Sequence, residues 1–347
     1  MIRRILAIIL ILCASAAFGL EVEEGRMRLV IHEETGRFSL YYLQDTRTDR
    51  YIPLILAQDP RTSVLSLYDE GRVYRLGESP IYSVEASALA GGAAAELRFQ
   101  TATVSVIQRF SFVHSEQAEQ SNAVRLDLIL QNTSDQPREL GLRLLLDTYL
   151  GESSNIHFST RGTQRITRET ELGPQAAVDY WTSPAQSTDS IGLRYFIDGP
   201  QISSPNRVVF ANWKRLNEAA WEYEVNSSRN FNLLPYSIND SAAAVYYGPT
   251  VLPRRSEEVY TTVLANSSAQ NVVLGEESVD VAEPSTPGTE LNENQVGRRR
   301  RLREINTFID EINTRLTADE PVGTDQVVAL RRGLEESRAS SVDSSEE

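Results

Sequence analysis

From about Leu20 to Ala265 the chain alternates apolar and polar residues with a period of two, and short turn sequences interrupt the alternation again and again. Successive side chains of a strand point to opposite faces, so this pattern commits the chain to half-buried strands. RMRLVIHEETGRFSLYYLQD puts Met27, Leu29 and Ile31 on one face, turns at Glu34-Thr35-Gly36 and resumes with Phe38, Leu40 and Tyr42, the pattern of a β-hairpin. SVLSLYDEGRVYRLG repeats it with Asp69-Glu70-Gly71 at the bend. ATVSVIQRFSFV, VRLDLILQNTS, LGLRLLLDTYLG, IGLRYFI, RVVFANW, AAAVYYG and EEVYTTVLA read as further strands. Many short strands without a long amphipathic helix between them predict a mainly β fold, a large antiparallel β-sandwich over residues 20–268.

The flanks of this region differ from it. MIRRILAIILILCASAAFG has two arginines, an apolar run and the small-x-small site Ala17-Phe18-Gly19, so residues 1–19 read as a secretory signal peptide and the protein as exported and periplasmic. The one cysteine, Cys13, lies in this segment. Lipid anchoring there is not expected, because Leu12 is too large for the position before a lipidated cysteine. A mature chain without cysteine has no disulfide, CxxC pair or Cys–zinc site, and must be held by its core. The net charge is −14 for the whole chain and −16 once Arg3 and Arg4 are removed, which speaks against nucleic acid as a partner.

Residues 269–296 are acidic and rich in Pro, Ser and Thr, a composition that cannot offset its ordering entropy, and read as a flexible linker. Beyond it, Leu302, Ile305, Ile309, Ile312 and Leu316 recur at helical spacing. Pro321 and Gly323 break this helix, and Val327, Leu330 and Leu334 begin a shorter one, so 297–338 reads as a short helical hairpin and 339–347 as a disordered end. Two such helices cannot cover their apolar stripes alone, which implies an envelope protein partner or self-association through them. Arg298, Arg299, Arg300, Arg301 and Arg303 sit at the start of the first helix, where positive charge opposes the macrodipole. An anion there, such as a membrane-surface head group or an acidic partner, would relieve the conflict.

Candidate chemistry centres on LLLDTYLG. Leu140, Leu142, Leu144 and Leu146 share one strand face, and Gly141, Arg143, Leu145 and Asp147 the other, which suits a central strand covered on both sides. VRLDLILQNTS and LGLRLLLDTYLG, joined by the short polar DQPRE, read as two strands of one hairpin. Asp147 has two readings. As a turn anchor it accepts hydrogen bonds from the turn that follows, the reading that needs least. As a catalyst it pairs with Glu152, with Asp240 as a third candidate acid. Fully extended chain would separate Asp147 from Glu152 by about 16 Å, so the catalytic reading requires a tight turn at Gly151. The three histidines occupy separate segments without ligand spacing, and no GxSxG, P-loop or GxGxxG run occurs, so no metal or cofactor is expected. Of the many aromatics in the second half, most suit a core. Trp213 and Trp221 have polar neighbours and are the candidates for stacking on a glycan.

LRLLLDTYLG, RVVFANW and NDSAAAVYYGPTVLPRRSEEVYTTVLA together resemble a group of exported bacterial β-sandwich proteins, some from spirochaetes. Their recurring features are a strand ending LLDT-x-LG, a V-x-F-x-x-W segment and an aspartate-led strand before a P-x-x-L turn. Pro253-Arg254-Arg255 stands where that group has Pro-Gly. The strand-rich layout also resembles the supersandwich of sugar mutarotases and of accessory domains in glycoside hydrolases, a likeness of fold style that carries no catalytic motif. These readings together lead to an expected non-catalytic envelope scaffold whose helical tail docks a partner. The alternative is a carbohydrate-binding or carbohydrate-active protein of mutarotase or glycoside-hydrolase kind, with a glycan as its ligand.

Overall fold

The computed structural model describes residues 19–274 except 57, 90–92, 117, 153–154, 162–164, 177, 185–190 and 270–271, and the side chains of Tyr149 and Val273 also fall outside the description. The stretch read as a signal peptide, the Leu302–Leu316 stripe and the Arg298–Arg303 cluster lie outside the described residues.

Among the described residues the strands form three antiparallel sheets. The first is β1 (Leu20–Glu24), β2 (Met27–His32), β3 (Arg37–Asp45) and β4 (Arg50–Pro53), in that order. The second has ten strands. Its order is β13 (Arg165–Ile166), β12 (Phe158–Thr160), β15 (Tyr180–Pro184), β16 (Gly192–Phe196), β19 (Ser256–Asn266), β10 (Ala123–Asn132), β9 (Val104–Ser115), β8 (Ala94–Gln100) and β7 (Ser83–Ala88), with β20 (Val272–Val273) added against β9. The third runs β14 (Thr170–Leu172), β17 (Arg207–Asn212), β18 (Ser241–Leu252), β11 (Arg138–Asp147), β5 (Val64–Asp69) and β6 (Arg72–Arg75). The antiparallel sandwich predicted by the alternation is therefore present. β20 falls inside the stretch that composition assigns to the linker.

Both hairpins read from the sequence form. Between β2 and β3 the chain makes a 3-10 turn, Glu33–Thr35, ended by Gly36 at φ +62°. Between β5 and β6 the loop is Glu70-Gly71, at φ +50° and +81°, the two left-handed residues of a twisted two-residue hairpin turn. The third expected hairpin does not form. β10 pairs with β9 and β19 in the ten-stranded sheet, while β11 pairs with β18 and β5 in the six-stranded sheet. The polar stretch between them carries the chain from one sheet to the other. Each strand is central and already has two ladder partners, so neither has a free edge for the other.

The main core lies between the sheets and takes Met27, Leu29 and Leu40 from the first, Leu97, Leu126 and Leu264 from the second, and Leu65, Leu142 and Val245 from the third. Leu140, Leu142, Leu144 and Leu146 all face it, as their shared parity requires. The opposite face of β11 is covered too. There Leu145, Val64, Val209 and Ala244 pack with Leu216 of a short helix, α1 (Trp213–Glu218), and with Trp221. Buried Arg143 donates to the carbonyls of Leu216 (2.6 Å) and Ala219 (2.9 Å), so its cation meets the C-terminal end of α1. α1 is thereby fixed across the sheet, and its first residue is brought to the rim where Asp147 ends β11.

Candidate functional site

The register of the six-stranded sheet gathers a group of polar residues at one rim. β11 and β18 pair so that Asp147 lies opposite Ala242. β17 and β18 pair so that Asn212 lies opposite Ser241. β5 begins at Val64, opposite Leu145, which brings the preceding Asp59–Ser63 turn to the same end. Segments far apart in sequence thus meet at Asp147.

Asp147 is 4% exposed. Its amide donates to Ser63 Oγ (3.0 Å) and its carbonyl accepts from the amide of Leu56 (3.0 Å), which locks the strand end in place. Burial pushes its carboxyl up to about 7, and the like charges of Glu152, Asp240 and Asp59 act in the same direction against a hydrogen bond from Thr62. After Asp147 the 3-10 turn Tyr149–Gly151 folds the chain back, and Glu152 Oε1 accepts from the amide of Ser241 (3.0 Å). The tight turn that the catalytic reading required at Gly151 is present. Half-buried Glu152 is also raised to about 7, by desolvation first and then by Asp240, with the Ser241 amide opposing. Asp240, immediately before β18 and half-buried, is raised by desolvation against a hydrogen bond from Ser237.

Two further residues complete the rim. His157 is buried, with Nδ1 2.8 Å from Ser241 Oγ and its ring 4.6 Å from that of Phe231. Desolvation lowers it to about 4, so it is a neutral imidazole at neutral pH. Asn212 is buried and tied to both neighbouring segments. Its Nδ2 is shared among the carbonyls of Phe231 (2.8 Å) and Asp240 (2.9 Å) and Ser237 Oγ (2.9 Å), while its Oδ1 caps α1 by accepting from Arg215 N. Among the described residues no group of three His, Cys, Asp or Glu side chains is arranged to hold a metal ion.

The structure brings Asp147, Glu152 and Asp240 together, and it separates the two tryptophans. Trp213 is half-buried beside the acids, its indole N–H donating to the carbonyl of Thr62 (2.9 Å), the residue whose side chain bonds Asp147. Trp221 is not a stacking platform. It is 7% exposed, tilted on Tyr68 at 5.3 Å and edge-on to Tyr246 at 5.6 Å, and its polar sequence neighbours point away from the core it fills. His157 and Asn212 carry no spacing signal of their own. Only the V-x-F-x-x-W segment hints at Asn212, as a cap residue at a strand-to-helix junction.

Gly151 decides where Glu152 points. A Cβ on it would stand 2.2 Å from the carbonyl oxygen of Ile156, a backbone atom that cannot swing aside. Gly151→Ala should therefore shift the turn, release Glu152 from the Ser241 amide and cost about 1–3 kcal/mol in chemical denaturation. A wild-type denaturation midpoint would show that the turn has slack.

A cleft lies on the outer face of the ten-stranded sheet. This cleft of about 400 Å³ is lined by Arg161, Asp179, Tyr180, Arg194, Phe196 and Asp198 among others. Arg161 pairs with Asp179, and the Arg194 guanidinium lies 4.1 Å over the Tyr180 ring and donates to the carbonyl of Ala269.

No protein-family model and no curated protein matches this sequence. Solved structures do resemble it. A galactose mutarotase related enzyme from Lactobacillus acidophilus is 11% identical over 74% of this chain and 99% of its own, with a TM-score of 0.38. A putative aldose 1-epimerase from Escherichia coli is 8% identical over 71% of this chain and 97% of its own, with a TM-score of 0.41. A galactose mutarotase-like protein from Lactobacillus casei is 9% identical over 71% and 99%, with a TM-score of 0.37. The likeness is to the fold alone. It agrees with the mutarotase-type layout read from the sequence, whereas no sequence family supports the resemblance to exported spirochaete-type proteins. The expected non-catalytic scaffold is corrected here, on the acid group gathered at the rim. The absence of a local catalytic motif gave no warning of an acid group assembled from distant segments.

Proposed function

We propose that this protein is carbohydrate-active and transfers protons at the anomeric centre of a pyranose, with Glu152 and Asp240 facing the sugar and Asp147 behind them. The observation that carries this reading is the acid group itself: three carboxyls at one rim, two of them held near pH 7 by burial and mutual repulsion. Interconversion of anomers needs a proton delivered to the ring oxygen and one withdrawn from the anomeric hydroxyl. Two neighbouring carboxyls do both when one is protonated while the other is charged; Glu152, held near 7, suits the acid, and Asp240, raised by desolvation, stands beside it as the base. Glu152 and Asp240 are half-buried and can touch a substrate. Asp147 is enclosed and acts through its charge on Glu152, as a positioning residue.

The test is polarimetry of α-D-glucose and α-D-galactose at neutral pH, with Glu152→Gln beside wild type. Acceleration over buffer that falls at least about 100-fold in the variant supports the reading. Wild-type protein that leaves both sugars at the buffer rate overturns it. The outer cleft favours a second reading, a glycan-binding module without catalysis, since paired arginine, aspartate and aromatic side chains suit sugar hydroxyls and C–H faces. Glycan binding that survives Glu152→Gln and is lost in Arg194→Ala would favour this second reading.

A further inference from the structure

The most exposed of the large apolar side chains on the described surface are gathered on one short loop. Leu234, Tyr236 and Ile238 are 72%, 74% and 70% exposed. The loop is not slack. The amide of Leu233 donates to the carbonyl of Ser237 (2.9 Å), and the amides of Tyr236 (2.7 Å) and Ser237 (2.9 Å) donate to the carbonyl of Leu233. The amide of Asn239 donates to Asn232 Oδ1 (2.7 Å), and Asn212 Nδ2 grips Ser237 Oγ. The Lys214 ammonium lies 5.9 Å over the Tyr236 ring. Held backbone with outward apolar side chains is costly to leave bare, and such patches mark contact sites.

We propose that this loop is the glycan-stacking lip of the acid site and that it selects oligosaccharides over free monosaccharides. The inference rests on the proposed function. Its own argument is continuity: the loop ends at Asp240, and Ser237 bonds both Asn212 and the Asp240 carboxyl. A molecule lying on Tyr236 and Ile238 therefore meets carboxylates within a few residues. A pyranose chain has matching chemistry, since its C–H faces stack on aromatic and aliphatic surface while its hydroxyls bond carboxylates. Three large side chains, each at least 70% exposed, present more apolar surface than one pyranose face covers, so the lip serves a chain and leaves a single sugar at the acids untouched.

The experiment is calorimetric titration of the full chain with cellopentaose and chitopentaose, and with glucose and N-acetylglucosamine, for wild type, Tyr236→Ala, Tyr236→Phe and Ile238→Ala. The oligomeric state is followed by light scattering. Tyr236→Ala should weaken a pentasaccharide at least tenfold without changing monosaccharide binding or the thermal midpoint, and Tyr236→Phe should restore it. Pentasaccharide affinity unchanged in Tyr236→Ala overturns the inference and leaves the proposed function standing. A wild-type dimer that Tyr236→Ala dissolves overturns it in favour of a second copy on the lip. If wild type binds no pentasaccharide the inference also falls, and polarimetry decides separately whether the proposed function falls with it.

Discussion

Asp147→Asn will make the protein more stable at pH 8 and leave it unchanged at pH 4. The sign follows from the direction of the shift. Asp147 titrates near 7 in the folded chain and near 4 when unfolded, so between those values the unfolded state holds fewer protons. The neutral carboxyl's contribution is complete below about pH 4, is lost as pH rises towards 7 and stays lost above it. Asparagine keeps the shape and removes the charge. A gain of about 2 kcal/mol at pH 8 is expected, less than the full shift implies because Glu152 takes up part of the repulsion, and it would appear as about 4–8 °C in the thermal midpoint. The same substitution removes a negative neighbour of Glu152, so the pH profile of anomer interconversion should move to lower pH. Thermal melts at pH 4 and pH 8, with polarimetry across that range, check both parts. A variant less stable than wild type at pH 8 would mean that the charged carboxylate anchors the turn, and that Asp147 does not act on Glu152 as an uncompensated buried charge.

Asn212→Ala is expected to have the largest structural effect at the site. It strips a buried side chain whose amide serves three acceptors and whose oxygen caps α1. The buried Phe231 carbonyl would lose its donor at about 1–3 kcal/mol, while the Asp240 carbonyl keeps the Trp213 amide, and the lost cap adds about 1 kcal/mol, for a total of about 2–4 kcal/mol. Asn212→Asp separates the contributions. It retains the cap acceptor, loses the donors and places a fourth carboxylate beside Asp147, Glu152 and Asp240, so its deficit should be larger at pH 8 than at pH 5. Urea midpoints at the two pH values measure this. Equal deficits would place Asn212 outside the electrostatic reach of the acids.

The strands were legible because their signal is local. Met27, Leu29 and Ile31 declare a buried face by parity alone, and Gly71 declares its turn through the left-handed backbone that it permits. Strand partners were not legible in the same way. β10 and β11 are neighbours in sequence and alternate alike, yet each pairs elsewhere, since pairing depends on the free edges available in three dimensions. The site divides along the same line. Asp147, Glu152 and Asp240 could be named one at a time as acids near strand ends. Their coupling, the neutral His157 and the bracing by Asn212 arise only where β11, β17 and β18 end together. Trp221 shows the reverse failure, as polar neighbours in sequence did not predict a polar environment in space.

The switch of the chain between sheets after β10 also bears on how the protein comes to be folded. The six-stranded sheet draws β5, β11 and β18 from positions as distant as Val64 and Leu252, and every ladder that frames the acids closes a long loop of chain. Folds dominated by such non-local pairings acquire their structure slowly, on a scale of about milliseconds to seconds, because chain entropy is lost before the contacts that offset it can form. The acid group has no meaning in any intermediate that lacks β18, the last of these strands to emerge. The proposed anomer interconversion should consequently appear with the slowest refolding phase, and no contiguous fragment ending before Ser241 should retain a fraction of it.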